Sequence, residues 1–456
     1  MRFAIIGAGL AGLTAAYEIH KADPQAHIDV LEAGERIGGK LFTVPFASGP
    51  TDIGAEAFLA ARHDAVEFFT ELGLADSLVT PSGAKSHYFA GGELHPFPAG
   101  GVMGIPSTSP DTSSDNAQDA PFTWTPGDDI SVGALVRRQY GDEIVDSVVS
   151  SLLGGVYSST ADDLGLRATL PALAAALDQL AEAAADSQVT LSAAVKTVEA
   201  QREAAKQNSS ETRPVFQTFK GGYAELYEAL AEHSGADIHL DAFVSAITKS
   251  GDGFTIKGGG EGTYDKVILA VPAPTAAVLL RDIAPTAAPY LRAIKLASSA
   301  VVGLRFDSAD GLPDNSGVLV AVGEPGITAK AFTFSSKKWP HLEARGGALV
   351  RASFGRLGDE ASARMDEDAL VDAALDDLKT ITGFDGREAG LSEIFVQRWF
   401  GGLPAYGVDH IATVAAARKE IAAVDGVEAI GAWAGGVGVP AVIADAQAAV
   451  HRLVEN

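Results

Sequence analysis

Arg2 to Ile6 is almost wholly apolar, the pattern of a short strand buried on both faces. A glycine-rich turn follows. Leu10 to Lys21 then carries helical spacing at Leu13, Ala16, Tyr17 and His20. Ile28 to Leu31 reads as the next strand, ending at Glu32, so the opening is a βαβ unit of about 30 residues. Ser131 to Leu153 and Leu170 to Ala185 are expected to be helical. Tyr264 to Pro272 is a buried-type strand closed by proline, which returns the chain to its first sheet. Ala297 to Phe354 alternates β-branched and small residues with turns, as an antiparallel sheet does. Val427 to Trp433 is expected as a last strand, followed by a second glycine turn and a helix from Ala441 to Val454. Two polar stretches, Ser107 to Asp119 and Gln201 to Pro214, read as surface loops.

Composition sets the outer limits. A chain of 456 residues exceeds one core, and two or three domains are expected. The fold class is α/β at the nucleotide-binding end and α+β overall: a Rossmann-like domain, an antiparallel-sheet substrate domain and a helical subdomain. No apolar run approaches the roughly 18 residues of a membrane span; Ile268 to Leu280 comes nearest, and Pro272 and Pro274 break it. Met1-Arg-Phe-Ala-Ile-Ile-Gly7 moves straight into a strand, so no leader and a cytoplasmic location are expected. The absence of cysteine excludes disulfides, thiolate-held iron–sulfur clusters, a catalytic thiol and a sulfur-linked flavin. Ten histidines without a contiguous ligand motif give no expectation of a metal. A net charge of −25 repels nucleic acid and anionic lipid, so an anionic substrate needs a local basic patch.

The chemistry concentrates in two glycine stretches. In Gly7-Ala-Gly-Leu-Ala-Gly12, the first glycine permits a tight turn, Gly9 lets backbone approach a diphosphate, and Gly12 lets helix pack on strand. The helix start offers unpaired N–H groups and a positive dipole end to phosphate. Glu32, twenty positions past Gly12, suits the ribose hydroxyls and would repel a 2′-phosphate. Glycine spacing alone is common; its place between strand and helix, with the acid at the right distance, gives it weight. Arg36, Gly38, Gly39 and Lys40 follow as a basic turn that either reaches the ligand or is simply solvated. Trp433-Ala-Gly435-Gly436-Val-Gly438-Val-Pro440 would aim a helix start at the N1–C2 edge of a flavin, where reduction places negative charge; the alternative is a turn with no ligand.

Longer phrases carry a resemblance. Glu93-Leu-His95-Pro-Phe-Pro98, Met103-Gly-Ile-Pro106 and Leu152-Leu-Gly-Gly-Val156-Tyr157 are three of them. Leu164-Gly-Leu-Arg167-Ala-Thr-Leu-Pro171, Phe334-Ser-Ser-Lys337-Lys338-Trp339-Pro340-His341 and Arg351-Ala-Ser-Phe-Gly-Arg356-Leu-Gly-Asp359-Glu360 follow. Gln397-Arg398-Trp399, Gly402-Leu403-Pro404 with Tyr406, and Gly436 to Pro440 complete the set. In this order they resemble the porphyrinogen-oxidising flavoproteins, the bacterial coproporphyrinogen III oxidases. Ala405 replaces that family's usual glutamine and Asp409 its usual glycine; residues 107–126 are richer in serine and aspartate.

The resemblance implies non-covalent FAD and the six-electron oxidation of coproporphyrinogen III to coproporphyrin III in haem biosynthesis, with hydride passing to flavin N5 and dioxygen returning as hydrogen peroxide. It implies a discontinuous FAD domain over 1–57, 219–280 and 401–456, a substrate domain over 58–108 and 281–400, and a helical subdomain over 109–218. FAD contacts are expected at Gly7, Ala8, Gly9, Leu10, Ala11, Gly12, Glu32, Ala33, Arg36, Gly39, Lys40, Gly54, Ala55, Glu56, Ala57, Val244, Trp399, Val437, Gly438 and Val439. Val156, Tyr157, Leu403 and Tyr406 are candidate walls for a flat substrate, and Arg167, Lys337 and Arg398 candidate partners for its propionates; each is equally a packing or solvated residue. His95 and His341 are expected to pack or hydrogen-bond. No catalytic acid or base is expected, because the flavin carries the chemistry. Protoporphyrinogen IX remains an alternative substrate, as do amine or carotenoid oxidation and a carrier without turnover. The sequence leaves peripheral membrane contact and oligomeric state open.

Overall fold

Strand β1 (Arg2–Ile6) lies at the centre of a sheet because its side chains are buried on both faces. Around it run β2 (His27–Leu31), β3 (Asp237–His239), β4 (Lys266–Leu269) and β5 (Val427–Ala429), all parallel, in the order β3–β2–β1–β4–β5. Ile6 pairs with Leu31 and with Leu269, which pairs in turn with Ala429. The loops that follow these strands therefore leave one edge of the sheet, the edge at which open parallel sheets bind ligands. Helix α1 (Leu10–Ala22) and helix α2 (Val439–Val454) pack on each other through one core that includes Leu13, Ile19, Val442, Ile443 and Ala446. On the other face of the sheet, Ala4, Ile6, Val267 and Leu269 meet Phe254, Tyr264, Leu280 and Leu291.

This computed structural model describes residues 1–108, 119–184, 186–208, 214–260 and 262–454. It divides into two units. Unit 1 comprises Met1–Thr80, Pro214–Lys295 and Ala412–Asn456, and contains the parallel sheet; unit 2 comprises Pro81–Arg213 and Leu296–Ile411.

Unit 2 is built on seven strands, in the order Leu391–Pro404, Leu296–Phe306, Ala348–Phe354, Ala331–Thr333, Gly317–Val320, His87–Ala90 and Glu93–Pro96. Every neighbouring pair is antiparallel except Gly317–Val320 with His87–Ala90. Ala300, Val302, Leu304, Val350 and Phe354 bury one face against Leu370, Ala374 and Leu378 of the helix Glu367–Thr382. Helices Val132–Tyr140, Ser150–Tyr157, Pro171–Ala183 and Leu191–Asn208 belong to the same unit.

Three expectations need correction. Gln201 to Asn208 is the last part of an 18-residue helix rather than a loop; Gln, Arg, Glu, Ala and Lys are strong helix formers even on a wholly exposed turn. Residues 209–213 of that stretch, and 109–118 of the other polar stretch, lie outside the described residues. The last strand stops at Ala429 instead of Trp433, because Gly431 takes φ +130° and a helical turn, Ala432–Gly435, follows it. The helical run from Ser131 is broken at Gly141, whose φ is +87°.

Candidate functional site

Gly7 turns the chain out of β1 with φ +105°, and a β-carbon there would sit 2.6 Å from the Ala270 carbonyl oxygen. At Gly12 an added β-carbon would run into the Gly7 carbonyl itself. Both glycines are required by backbone packing. Gly9 is different: its φ is −77°, ordinary for any residue, and the nearest atom to an added β-carbon is 3.7 Å away. Gly9 caps α1 without a side-chain bond, so no side chain of its own satisfies the N–H groups of the first turn. Uncapped N–H groups at the start of a helix suit an anion.

Glu32 closes this turn from the end of β2. Its carboxylate accepts the Ala8 N–H and the Gly34 N–H, each at 2.8 Å. The neighbouring backbone is clamped by the chain after β3: Glu32 N–H donates to the His239 carbonyl at 2.9 Å, and Ala242 N–H to the Glu32 carbonyl at 2.7 Å. Val244 follows as a buried residue and Ala33 stays exposed. Gly38 N–H donates to the Ala8 carbonyl at 2.8 Å, and Gly39 crosses Gly9 so closely that a β-carbon would meet its α-carbon at 2.9 Å. The Arg36 guanidinium donates to the carbonyls of Ile37, Gly39 and Leu41 and lies 3.8 Å over the Phe42 ring, work that shapes the turn. Gly54 and Ala55 run against Lys40 and Phe42, with Glu56 and Ala57 continuing the segment.

Lys40 stands apart. The residue is exposed, and desolvation of its ammonium pulls it down to about 8. Its ammonium has no hydrogen-bond or ion-pair partner among the described residues. A cation so placed suits an anionic ligand.

The second glycine turn leaves the same sheet edge as the first. Trp433 Nε1–H donates to the Val271 carbonyl at 3.2 Å, just past β4. Gly435 and Gly436 are demanded by close contact with Asp445 and Ala441, and Gly436 has φ +135°. Gly438 is another open position, with nothing nearer than 3.9 Å to an added β-carbon; it precedes α2, where Ala441 and Val442 donate to its carbonyl at 3.0 Å. Val437 lies just before it, and Val439 opens the helix. Asp445 of α2 holds the turn by accepting the Gly431 N–H at 3.1 Å and pairing with Arg418.

In unit 2, Val156 is exposed and Tyr157 half-buried at the end of the helix Ser150–Tyr157. The Tyr157 ring lies 5.6 Å from that of the buried Tyr406, which stacks on the buried His410 at 4.0 Å, so these aromatics form one packed cluster. Leu403 sits half-buried in the long strand opposite Ala297, and Trp399 opposite Ser299. Of the three cations, Arg167 is committed to Asp178 through two bonds of 2.9 and 2.7 Å and to the Asp128 carbonyl. Lys337 lies 3.5 Å from the exposed Asp314, and Arg398 donates to the Met365 carbonyl at 2.7 Å. His95 stacks on Tyr88 and lies 3.2 Å from the Ala90 carbonyl, and His341 packs near Trp339. Ala405 is buried, and Asp409 adopts φ +65°, a conformation glycine takes more easily.

Lys330 is a residue that sequence reasoning passed over. It is buried, and its ammonium donates to Ser158 Oγ at 2.5 Å and the Gly355 carbonyl at 2.7 Å, tying the end of the Val156–Tyr157 helix to a strand end. Its partners lie 172 and 25 residues away, so no local pattern marks it. Burial, then the charge of Arg356, pulls it down to about 7. A base with a lowered folded pKa destabilises the fold below that value, and the penalty lifts as pH climbs from 7 toward the unfolded value of about 10.4. Relative to Lys330→Met, the wild type is expected to gain roughly 1–2 kcal/mol between pH 7 and 9 in denaturant titrations. A difference that stays flat with pH would contradict this reading.

Residues 10–448 match the family model of flavin containing amine oxidoreductases. The chain is 37% identical to the coproporphyrinogen III oxidase of Mycobacterium tuberculosis (strain ATCC 25618 / H37Rv), covering 99% of this chain and 97% of that protein. It is 29% identical to the coproporphyrinogen III oxidase of Bacillus subtilis (strain 168), over 98% and 96%. A crystal structure of a candidate protoporphyrinogen oxidase from Exiguobacterium sp. 255-15 superposes with a TM-score of 0.84 at 27% identity, covering 100% of this chain and 98% of that one. Cyclohexylamine oxidase from Brevibacterium oxydans IH-35A, at 16% identity and TM-score 0.68, shares the fold.

Proposed function

This chain belongs to the flavin containing amine oxidoreductase family and, within it, to the family of the coproporphyrinogen III oxidases, and on that premise we propose that it oxidises coproporphyrinogen III to coproporphyrin III with non-covalent FAD. The observation that carries the cofactor half is the pair of open glycines, Gly9 and Gly438, at helix starts on one sheet edge. Packing does not require glycine at either position, and both leave room for a ligand. Full-length identity to the mycobacterial oxidase carries the substrate half.

The protein's part is binding and orientation. The start of α1, with Gly7 to Gly12, faces the diphosphate; Glu32, positioned by Ala8 and Gly34, takes the ribose hydroxyls; Lys40 adds the positive charge. Ala33, Arg36, Gly39, Gly54 to Ala57 and Val244 shape the surrounding backbone, and Val437 to Val439 present the start of α2 to the ring. When bound, the flavin supplies hydride acceptance and, with dioxygen, reoxidation: one porphyrinogen and three dioxygen give one porphyrin and three hydrogen peroxide. Within unit 2, Val156, Tyr157, Leu403 and Tyr406 are the residues proposed to contact the flat macrocycle, with Trp399 beside Ser299 in the same sheet. Arg398 and Lys337 retain capacity for propionates, whereas Arg167 is spent on Asp178.

Anaerobic mixing with coproporphyrinogen III is expected to bleach the flavin near-stoichiometrically, and oxygen to restore it with peroxide. Protoporphyrinogen IX and a panel of amines serve as comparisons. Reduction by an amine, with coproporphyrinogen inert, would overturn the substrate assignment.

Lys40 supplies a pH test. Contact with diphosphate favours the ammonium, so binding raises a pKa that starts at about 8. FAD affinity is therefore level below pH 8 and weakens above it, approaching tenfold per pH unit until the bound pKa is reached. Lys40→Met is expected to remove that slope; an identical slope in the variant would exclude Lys40 from the site.

A further inference from the structure

We propose that His27, Asp29 and Asp237, with His239 alongside, form a binding site for one divalent transition-metal ion on the sheet of unit 1. Strand β2 begins His27-Ile28-Asp29 and the edge strand β3 reads Asp237-Ile238-His239. Alternate residues of a strand share a face. The parallel register sets Asp237 against Asp29, so all four side chains belong to the same face. One ligand atom from each of His27, Asp29 and Asp237 lies within 4.8 Å of the others. His27 Nε2 is 3.4 Å from one Asp29 carboxylate oxygen, and His239 Nε2 is 3.2 Å from the other.

The cluster is built like a metal site in three respects. Asp29 is a buried anchor, its side chain 8% exposed, and it accepts a hydrogen bond from Tyr264 that fixes its orientation. His27, Asp237 and His239 are exposed around it, so an ion can enter and their ends can move. The Asp237 carboxylate has no hydrogen-bond or ion-pair partner among the described residues, so a network that only satisfies Asp29 gives it no role. Bonds of about 2.0–2.2 Å in a tetrahedral site hold ligands roughly 3.4 Å apart, so His27 and Asp237 need to close on Asp29 by at most about 1.4 Å, while His239, on the other carboxylate oxygen, has to turn to join them. Two imidazoles and two carboxylates favour Zn²⁺ and its transition-metal neighbours over Mg²⁺ or Ca²⁺.

Arg2 is the resident competitor. Its guanidinium lies 3.3 Å from Asp29 and over the Tyr264 ring at 4.9 Å. The structural consequence of an ion reaches Glu32, because the His239 carbonyl accepts the Glu32 N–H and Asp241 N–H donates to the Gly34 carbonyl. Tying β3 to β2 braces the strand end that carries Glu32.

The test uses the flavin-loaded protein, stripped with chelator and titrated calorimetrically with ZnCl₂, with MgCl₂ in parallel. One equivalent of Zn²⁺ is expected at micromolar or tighter Kd, without Mg²⁺ binding, and with a Tm raised by a few degrees. His27→Ala and Asp237→Ala, both at exposed positions, are each expected to weaken binding at least tenfold and to abolish the Tm shift. Arg2→Gln is expected to tighten it. Zn²⁺ binding that is unchanged in His27→Ala and Asp237→Ala, or absent from the wild type, would overturn the site. Neither result touches the flavin assignment, which is read by FAD retention.

Discussion

Gly9→Ala is expected to leave the apoprotein folded and to weaken FAD binding about a hundredfold, whereas Gly12→Ala should disable folding itself. The two glycines belong to one turn, but different forces fix them. At Gly12 a methyl group collides with the Gly7 carbonyl, and backbone cannot swing aside as a long side chain can. Such overpacking costs about 3 kcal/mol or more, a large share of a typical domain's stability. At Gly9 the same methyl group finds no protein atom within 3.7 Å, and φ is already ordinary. The change of cap residue costs apoprotein stability no more than about 1 kcal/mol. What the methyl group does occupy is the approach to the α1 start. Thermal melts of both apoproteins, followed by FAD titration of Gly9→Ala, check this. Unaltered FAD affinity in Gly9→Ala would show that nothing binds at that helix start.

Asp445→Ala is expected to cost about 3 kcal/mol and to loosen FAD together with the fold of the second turn. Asp445 is 3% exposed at its side chain and joins three things: the Arg418 guanidinium, the Gly431 N–H at 3.1 Å, and the close passage of Gly435. Removing it leaves a partly buried cation and a buried N–H without their acceptor. Because Arg418 is 34% exposed, water recovers part of the loss, which keeps the figure at the low end for broken buried pairs. Gly431 directs the chain from β5 into Ala432–Gly435, so the error propagates to Gly438 and the start of α2. Asp445→Asn keeps the shape and one acceptor, and should retain most of the Gly431 bond while losing the ion pair. Equal Tm values for wild type, Asn and Ala variants would contradict this account.

Much of unit 1 was legible because its signals are local. The apolar run Arg2–Ile6, the glycine turn and the spacing to Glu32 lie within a few dozen residues, and they predict β1, α1 and β2 to within a residue or so. The long strand Leu391–Pro404 was not legible as a strand: Gln397, Arg398, Gly401 and Gly402 interrupt its alternation, and pairing with Leu296–Phe306 supplies what periodicity lacks. The end of the helix at Gln201–Gln207 hid for the opposite reason, being exposed and polar with no apolar stripe to betray it. Site residues divide in the same way. Gly9 and Glu32 carry a spacing, whereas Lys330 with Ser158, and Asp29 with His239, meet across 172 and 210 residues. Strand register brings Asp29 to His239, and the packing of a helix end beside a strand brings Ser158 to Lys330. Even within a legible motif, sequence could not separate glycines needed for packing, such as Gly12 and Gly39, from those leaving room for a ligand, such as Gly9 and Gly438.

The central claim is that one dinucleotide spans the first glycine turn, Glu32 and the start of α2. Titrating the apoprotein with FAD and, separately, with FMN tests it most directly, since FMN has the ring but lacks the adenosine that Glu32 would hold. The account predicts saturation at one equivalent of FAD and binding of FMN weaker by at least a hundredfold. FMN binding as tight as FAD, or an apoprotein that takes up neither, would contradict it.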